Sequence, residues 1–234
     1  MQIKEEILNF LNENGVADAG FTNVDDGPFG ENSGAVSIVV KLSDAVIDEI
    51  GSEPTYTYFH HYRTVNAFVD RICLQIGFIL ERHGYRYIAV PASQSINKDG
   101  WNYCGRYSHK KIAVMSGLGG IGKNDLFLHR EYGPRVRLGT VFTDCVFDCE
   151  EIEGFTPCRD CDLCVKACPA GALKGVLRGA DTERSDIIDP EKCSNYMKKQ
   201  FQHIGRGAVC GICIRVCPAG SPEMRKKLYG TEKN

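Results

Sequence analysis

Cysteine is the residue type whose number and spacing point most directly to chemistry in this 234-residue chain. Ten of its 12 cysteines fall within residues 145–217. Residues 1–6 have no basic segment or twin arginine of an export signal, so we expect a cytoplasmic protein. In the reducing cytosol, cysteines at short fixed spacings indicate metal ligation rather than disulfides.

The first cysteine frame has the spacing C-x2-C-x2-C-x3-C-P and runs from Cys158 through Cys161 and Cys164 to Cys168 and Pro169. This is the spacing of bacterial ferredoxins, in which a tight loop supplies three thiolates to one 4Fe-4S cube. In two-cluster ferredoxins the fourth cysteine, which precedes proline, binds the other cluster.

The second frame, Cys210-x2-Cys213-x3-Cys217-Pro218, repeats the end of the first. Its leading ligand is missing, and Cys193 can replace it if residues 194–209 loop out. The crossing rule then predicts two 4Fe-4S clusters. The predicted ligands of one are Cys158, Cys161, Cys164 and Cys217, and those of the other are Cys168, Cys193, Cys210 and Cys213.

Other readings of the cysteines are weaker. Structural zinc sites also use C-x2-C pairs, but they do not require a triple run with crossing C-P ends. Cys73 lies in a helical pattern and is predicted to be a core residue. The sequence leaves open whether Cys104, Cys145 and Cys149 are structural or reactive, since reactivity needs a stabilised thiolate.

The elements that must position these residues are helices and strands upstream of the frames. The apolar pattern predicts a helix over residues 3–12 and a long helix from 65 that ends near residue 83. It also predicts strands over residues 35–42, 85–90, 126–129 and 135–143, the last two forming a hairpin.

Two modules are indicated by the change in composition. Residues 1–150 carry 14 basic and 19 acidic side chains, whereas residues 151–234 carry 14 and 11. The chain is 43% apolar and 25% charged, and no apolar run approaches the ~18 residues of a membrane helix. We therefore expect no membrane partner.

Residues 116–124, SGLGGIGKN, satisfy G-x-G-x-x-G and almost match a phosphate-binding P-loop. The P-loop match is weak because Asn124 stands where a hydroxyl should bind magnesium. A dinucleotide fingerprint needs a strand before the glycines and a helix after them, and the following residues instead have a β pattern. The glycines still indicate a close approach of the backbone to something.

The run over residues 109–144 contains HKKIAVMSGLGGIGKN, a tyrosine-glycine turn and RVRLGTVFTD, and the two frames follow it. This combination resembles the epoxyqueuosine reductase and reductive dehalogenase superfamily over residues 56–218. The resemblance implies an α+β fold, with a nitroreductase-like corrinoid-binding domain (1–148) followed by a bacterial-type two-cluster ferredoxin domain (149–234). The implied cofactor is cobalamin or another corrinoid, with flavin as the alternative.

The resemblance also assigns cofactor-binding residues. The glycine segment would form part of the cobalamin-facing wall, and the TD pair would mark the passage between the domains. These residues are Gly117, Leu118, Gly119, Gly122, Lys123, Asn124, Thr143 and Asp144. The alternative is that the glycines only shape a tight turn.

Departures from the family pattern limit the substrate. The family's proton-donating aspartate is absent, because residues 90–94 read VPASQ, and the 17 residues given after Cys217 are not expected to form the family's helical repeats. Transfer RNA is therefore not expected as a substrate. Tyr103, Tyr107 and His109 are the remaining candidate proton donors. The His60-His61 pair is expected to face solvent, with axial ligation or acid catalysis as alternatives.

Taken with the resemblance, the sequence predicts an oxidoreductase. It would pass single electrons from a ferredoxin or flavodoxin through two clusters to a corrinoid, reducing a small organic substrate or the corrinoid itself. The alternatives are a non-catalytic ferredoxin-type electron carrier, a corrinoid-handling protein, and a flavin-dependent reductase.

Overall fold

The computed structural model describes residues 2–96, 103–149, 154–156, 158, 160–179 and 181–221. The chain forms two compact units, each built from three segments. The sheet unit comprises Met1–Lys41, Thr64–Leu118 and Arg137–Gly154, and the frame unit comprises Leu42–Arg63, Gly119–Val136 and Phe155–Asn234.

This division interleaves along the sequence, whereas the sequence analysis placed one boundary, between residues 148 and 149. Two segments of the N-terminal half, Leu42–Arg63 and Gly119–Val136, belong with the cysteine frames. A division into independently folding domains at 148/149 stays a prediction.

The sheet unit is built on a four-stranded sheet with strand order β1-β2-β6-β3. β1 (Asp18–Val24) pairs antiparallel with β2 (Ser33–Lys41), and β3 (Tyr87–Val90) pairs antiparallel with β6 (Val136–Thr143). Every residue of β2 except Lys41 is buried. Burial of both faces explains why its sequence is a nearly continuous apolar run.

Helices of the sheet unit end where glycine supplies the left-handed conformation. α1 (Gln2–Glu13) stops before Gly15, and α3 (Tyr56–Arg82) stops before Gly84, where φ is +83°. After α3, the Tyr85 N–H donates to the Leu80 carbonyl and the Gly84 N–H donates to the Glu81 carbonyl. This pair of bonds is the Schellman cap.

The predicted helices and strands of this unit are confirmed, with α3 starting nine residues earlier than residue 65. Cys73 lies on α3 and is fully buried, as predicted, and burial raises the pKa of its thiol to about 12. A Cβ at Gly139 of β6 would approach the Cys73 sulfur to 2.6 Å. The glycine thus lets the strand cross the helix closely.

The predicted hairpin between strands 126–129 and 135–143 is wrong. β5 (Phe127–His129) pairs instead with β4 (Gly119–Ile121), while β6 pairs with β3. β4 passes so close to β5 that a Cβ at Gly119 would lie 2.1 Å from the Leu128 carbonyl oxygen. Only glycine allows this approach, so the glycine run itself becomes a strand.

The frame unit consists of this hairpin and short helices. The helices are α2 (Asp44–Asp48), the N-terminal part of α3, α5 (Leu163–Ala167), α6 (Arg184–Ile187), α7 (Pro190–Gln200) and α8 (Ile212–Arg215), with 3-10 turns at Gly205–Gly207 and Pro218–Gly220. The buried guanidinium of Arg135 pairs with Asp44 at 3.0 Å and with Asp48 at 2.7 Å.

Residues 194–209, which must loop out for Cys193 to act as a ligand, begin within helix α7, which continues to Gln200. Asp189 caps this helix by accepting a hydrogen bond from the Lys192 N–H at 2.9 Å, and Pro190 occupies its first turn. These are strong helix-start signals. Across the described residues, none of the helices is long and apolar enough to span a membrane.

Candidate metal centre and polar cavity

The first set of thiols comes from the first frame and the end of the second. Cys164 lies in α5, and Cys217 is the N-cap of the last 3-10 turn. The Cys217 thiol interacts electrostatically with three others of the frame unit, those of Cys158, Cys161 and Cys164. The three thiols that the crossing rule groups with Cys217 therefore lie within electrostatic range of it.

The second set is assembled around α7 and α8. The Cys213 thiol of α8 interacts electrostatically with those of Cys168, Cys193 and Cys210. Cys193 lies in the first turns of α7 and interacts with Cys168 and Cys210 as well. Cys213 also interacts with Cys164 of the first set, so the two sets adjoin one another.

Burial keeps several of these thiols protonated. It raises the pKa of Cys164 and of Cys193 to about 11 and that of Cys217 to about 12, and it also raises the pKa of Cys213. A metal ligand must be a thiolate, so binding of a metal group here releases protons and becomes weaker as the pH falls. The donor chemistry fits an iron–sulfur cluster.

No group of three or more His, Cys, Asp or Glu residues in the described ranges could hold a single metal ion. A 4Fe-4S cube binds each of its four cysteines at a different iron. Its ligands surround a cluster and need not converge on one atom.

A hairpin formed by residues 119–129, hereafter the glycine hairpin, covers the first set. The backbone N–H of Lys123 donates to the Cys158 sulfur at 3.5 Å, and the Lys123 ammonium pairs with Asp162 at 2.8 Å. Leu126 and Leu128 belong to a cluster of apolar contacts with Cys158 and Cys217. The first set therefore packs against apolar side chains and accepts a hydrogen bond from the Lys123 N–H.

The glycines predicted to face a corrinoid have structural contacts. Gly117, with φ of +76°, follows the end of α4 (His109–Met115), where the Leu118 N–H donates to the Ala113 carbonyl. A Cβ at Gly122 would approach the Leu128 side chain to 2.5 Å. A helix thus precedes the glycines and a hairpin follows them, which is the reverse of a dinucleotide fingerprint.

The other residues of the glycine segment are also placed by the protein itself. Leu118 is buried, and Asn124 is buried with its side-chain oxygen accepting from the Leu126 N–H at 3.2 Å. A role of the segment toward a corrinoid stays a prediction.

The sheet unit contains a polar cavity of about 180 Å³. Residues 90–95, 105–107 and 109 line it, so Tyr107 and His109 reach it, whereas Tyr103 is outside the lining. Among the described residues of the lining there is no carboxylate. The ring of Tyr107 also packs against Phe142, with centroids 4.8 Å apart.

His109 is held by two partners. Its Nε2 lies 3.0 Å from the Pro91 carbonyl oxygen and its Nδ1 lies 2.8 Å from the Thr140 hydroxyl. Because a carbonyl only accepts, Nε2 carries the proton and Nδ1 accepts from Thr140. Burial lowers the pKa of His109. The ring is therefore neutral near pH 7, and in this conformation its proton is engaged.

The TD pair ends β6. Thr143 is buried and its hydroxyl accepts from the Cys145 N–H at 3.1 Å. Asp144 binds the backbone N–H of Arg86 at 2.8 Å and its guanidinium at 2.7 Å, and the Arg86 hydrogen bond lowers the pKa of this carboxyl. Cys145 is buried. These contacts connect the end of β6 to the start of β3.

The two adjacent histidines of α3 differ in exposure. His60 is exposed, whereas His61 is half-buried and its Nε2 accepts from the Ser43 N–H at 3.0 Å. Burial lowers the pKa of His61. The expected solvent-facing arrangement therefore holds for His60, and His61 is a structural acceptor. Cys104 and Cys149 are exposed.

Sequence reasoning missed the charged residues beside the two sites. Asp125, on the glycine hairpin, is buried and pairs with Arg184 at 3.1 Å, and Arg184 interacts electrostatically with the Cys193 thiol. In the sheet unit, Arg137 donates to the carbonyl of Ala92 in the cavity lining at 3.1 Å. The available signal for Arg137 was that it is the charged residue of a mostly buried strand, over residues 136–143.

Comparison with known proteins supports the metal assignment. Residues 157–220 match a family described as a 4Fe-4S double cluster binding domain. The tetrachloroethene reductive dehalogenase of Desulfitobacterium hafniense is 33% identical over an alignment of 100 residues, and the match covers 36% of this chain and 18% of that protein. The epoxyqueuosine reductase of Listeria monocytogenes is 33% identical over 93 residues, 40% of this chain and 22% of that protein. The chain thus spans about a fifth of these relatives.

A solved reductive dehalogenase, described as suggesting a mechanism for B12-dependent dehalogenation, superposes with a TM-score of 0.69 at 18% identity. The match covers 93% of this chain and 32% of that one. At this identity the likeness is one of fold. It extends the similarity from the cysteine frames to nearly the whole chain.

Proposed function

We propose that the chain, which is similar to epoxyqueuosine reductases and reductive dehalogenases, is an iron–sulfur oxidoreductase that passes single electrons through two 4Fe-4S clusters to a bound corrinoid. The observation that carries the proposal is the assembly of eight frame thiols into two coupled sets of four. An external ferredoxin or flavodoxin would supply the electrons.

We assign the ligands by these sets. The first cluster would be held by Cys158, Cys161, Cys164 and Cys217, and the second by Cys168, Cys193, Cys210 and Cys213. The clusters, when bound, accept and release one electron at a time. The chain holds them close together, since Cys164 of one set and Cys213 of the other interact. Such proximity suits transfer between them.

The corrinoid part of the proposal is supported by the relatives and by the fold. We propose that the sheet unit is the nitroreductase-like part and that its polar cavity admits a small organic substrate or a polar edge of the corrinoid. The described contacts of Gly119, Gly122, Lys123 and Asn124 are with atoms of the frame unit and give no support for corrinoid contact. No step is therefore assigned to these residues through a corrinoid.

The cavity residues would act by holding shape. His109 links the Pro91 carbonyl to Thr140 of β6, and Arg137 links the Ala92 carbonyl to Asn66 of α3. These bonds fix the backbone of the lining, so that its polar groups are preorganised for a ligand. Tyr107, with a ring packed on the core and access to the cavity, is the better placed of the two lining donors for moving a proton.

A second candidate function is a non-catalytic electron carrier or corrinoid-handling protein. It is favoured by the engagement of both ring nitrogens of His109, which accept from Thr140 and donate to the Pro91 carbonyl. In that case the clusters would deliver electrons to a partner or to the corrinoid, and no substrate would be transformed.

Anaerobic reconstitution with iron, sulfide and hydroxocobalamin, followed by iron analysis and electron paramagnetic resonance, separates these functions. The proposal predicts about eight irons per chain, reduced-cluster signals and a bound cob(II)alamin signal. Clusters with no cobalamin and no flavin band would favour the carrier, and a flavin band would favour a flavin reductase. Turnover of a small substrate would then decide between catalysis and corrinoid handling.

Two cysteine variants make the ligand assignment specific. Cys213→Ser should lower the iron content to about four per chain or less, because it removes a ligand of the second cluster. Cys149→Ser, an exposed cysteine outside the frames, should keep about eight. Equal iron contents in the two variants would contradict the assignment, as would a wild-type protein that binds no iron.

A further inference from the structure

The glycine hairpin, residues 119–129, was expected to contact a corrinoid, but its described contacts are with the first set of thiols. The Lys123 N–H points at the Cys158 sulfur at 3.5 Å. The Lys123 side chain is only 12% exposed, and its ammonium is also within electrostatic range of Cys158 and Cys161. Leu126 and Leu128 belong to the same apolar cluster as Cys158 and Cys217.

We propose that the glycine hairpin is the outer shell of the first cluster and that Lys123 is a positioning residue that raises the reduction potential of this cluster. This inference rests on the proposed function, since it requires Cys158 to be a cluster ligand. A reduced cluster carries one more negative charge than an oxidised one. An N–H donor on a ligating sulfur and a nearby cation both stabilise that added charge.

Asp162 opposes the effect of Lys123 on the reduction potential. Its carboxylate accepts from the Lys123 ammonium at 2.8 Å and is half-exposed. It holds the lysine beside the frame, and its own negative charge opposes the effect of the lysine on the cluster. Removal of Lys123 and removal of Asp162 should therefore move the potential in opposite directions.

The same turn is connected to the second set through a different pair. Asp125 binds Arg184 at 3.1 Å, and Arg184 interacts with the Cys193 thiol. Lys123 and Arg184 are thus cations beside different thiol sets. Their substitutions should act on different clusters, which provides an internal comparison.

The requirement for glycine follows from this packing. A Cβ at Gly119 would strike the Leu128 carbonyl oxygen at 2.1 Å, and a Cβ at Gly122 would strike the Leu128 side chain at 2.5 Å. Leu128 in turn contacts Cys217. The glycines let the hairpin close tightly beside the first set of thiols.

A redox titration of the anaerobically reconstituted full chain, followed by paramagnetic resonance, tests the proposal. Lys123→Met should lower the ratio of reduced to oxidised first cluster about tenfold at a fixed potential, which is a shift of about 59 mV for a one-electron couple. Asp162→Asn should move the same transition upward. Arg184→Met should move the other transition, and Lys111→Met, an exposed lysine paired with Asp26 in the sheet unit, should move neither.

The outcomes separate this inference from the proposed function. A wild-type chain that binds no cluster overturns the proposed function. A chain with two clusters whose transitions are unmoved by Lys123→Met and Asp162→Asn, or moved in the same direction by both, overturns the role of Lys123 alone. If Lys123→Met does not fold, Lys123→Arg, which keeps the charge, and the half-exposed Asp162→Asn still decide.

A spectroscopic signature adds a readout that does not depend on potential. Protein labelled with [15N]lysine should show a nitrogen coupling to the reduced first cluster, because the Lys123 amide lies against a ligating sulfur. The coupling should vanish in labelled Lys123→Met. Its persistence there would show that another lysine supplies it and would contradict the assignment.

Discussion

The two units differ in how their polar groups are satisfied. In the frame unit, buried thiols with raised pKa values face one another in two sets and have charged residues at their edges. In the sheet unit, the groups beside the cavity are already bonded to each other, as His109 is to Pro91 and Thr140. The thiol sets of the frame unit therefore fit a metal cluster, whereas the hydrogen bonds beside the cavity hold the backbone of the sheet unit in place.

This difference suggests where the stability of each unit originates. The sheet unit has a buried four-stranded sheet and a 27-residue helix that contributes to its core. The frame unit relies on helices of four, five and eleven residues and a hairpin of three-residue strands. Such short elements are marginal by themselves, so bound clusters should contribute much of the folding free energy of the frame unit.

Removal of iron should have the largest effect, because only the frame unit is expected to depend on bound clusters for its folding. Chelation under reducing conditions should abolish hydrogen-exchange protection in α5, α8 and the glycine hairpin, because apo metal sites rarely stay folded. Protection in β2 and β6 should persist. Exchange measured by mass spectrometry on holo and apo protein checks this. Equal loss of protection in both units would show that they fold as one.

A methyl group added between the two strands of the glycine hairpin should have the next largest effect, a loss of stability. Gly119→Ala places a methyl group on the Leu128 carbonyl, which is backbone and moves only with the strand, so the free energy of unfolding should fall by about 1–3 kcal/mol or more. Gly51→Ala, also in the frame unit, meets no atom within 4 Å and serves as the control. Denaturant unfolding of the holo proteins measures both, and equal stabilities would contradict the packing argument.

His109, beside the cavity, should make the free energy of unfolding depend on pH. Burial lowers the pKa of His109 below its ordinary value of 6.5, so below about pH 6.5 the unfolded chain binds a proton that the folded chain does not. Its contribution is present above that pH and is lost as the pH falls toward the folded pKa. His109→Gln should flatten this part of the stability curve, measured by denaturant unfolding from pH 5 to 8.

His61 provides the matched comparison in the frame unit. Its pKa is also lowered by burial, and it accepts from the Ser43 N–H. His61→Gln should remove a similar, separate part of the same slope. An unchanged slope in both variants would mean that neither histidine titrates differently in the folded chain.

The ion pair of the TD segment should have the smallest effect. Arg86 is 74% exposed, so the Asp144–Arg86 pair is screened by water, and Asp144→Asn should cost less than about 1 kcal/mol. Thermal unfolding at low and high salt measures the change. A large loss of corrinoid binding with little loss of stability would support the cofactor role that family resemblance assigns to Asp144.

Helices and strands with strong local signals were predictable from the sequence. The stripe of α3 and its glycine stop, and the apolar run of β2, carry their own period and their own end signals. β1 was missed because its residues, DAGFTNV, mix small and polar types and only become a strand through pairing with β2. The partner of β5 was missed for the same reason.

The candidate site also has a part that local sequence patterns indicated and a part that they could not indicate. Cysteines three positions apart are held together by the chain itself, so their spacing indicated the thiol sets that the structure brings together. The residues beside those sets come from distant segments, Lys123 near Asp162 and Asp125 near Arg184. No local pattern connects residues 39 and 59 positions apart.

The sequence by itself indicated which neighbouring cysteines of each frame lie together, because a turn of a few residues limits where its side chains can go. Only the tertiary structure decided that the glycine segment lies on the first thiol set and that His109 is engaged on both sides of its ring. Both depend on how well surfaces far apart in the chain fit together, and a clash such as that of a Cβ at Gly119 exists only once the partner strand is in place.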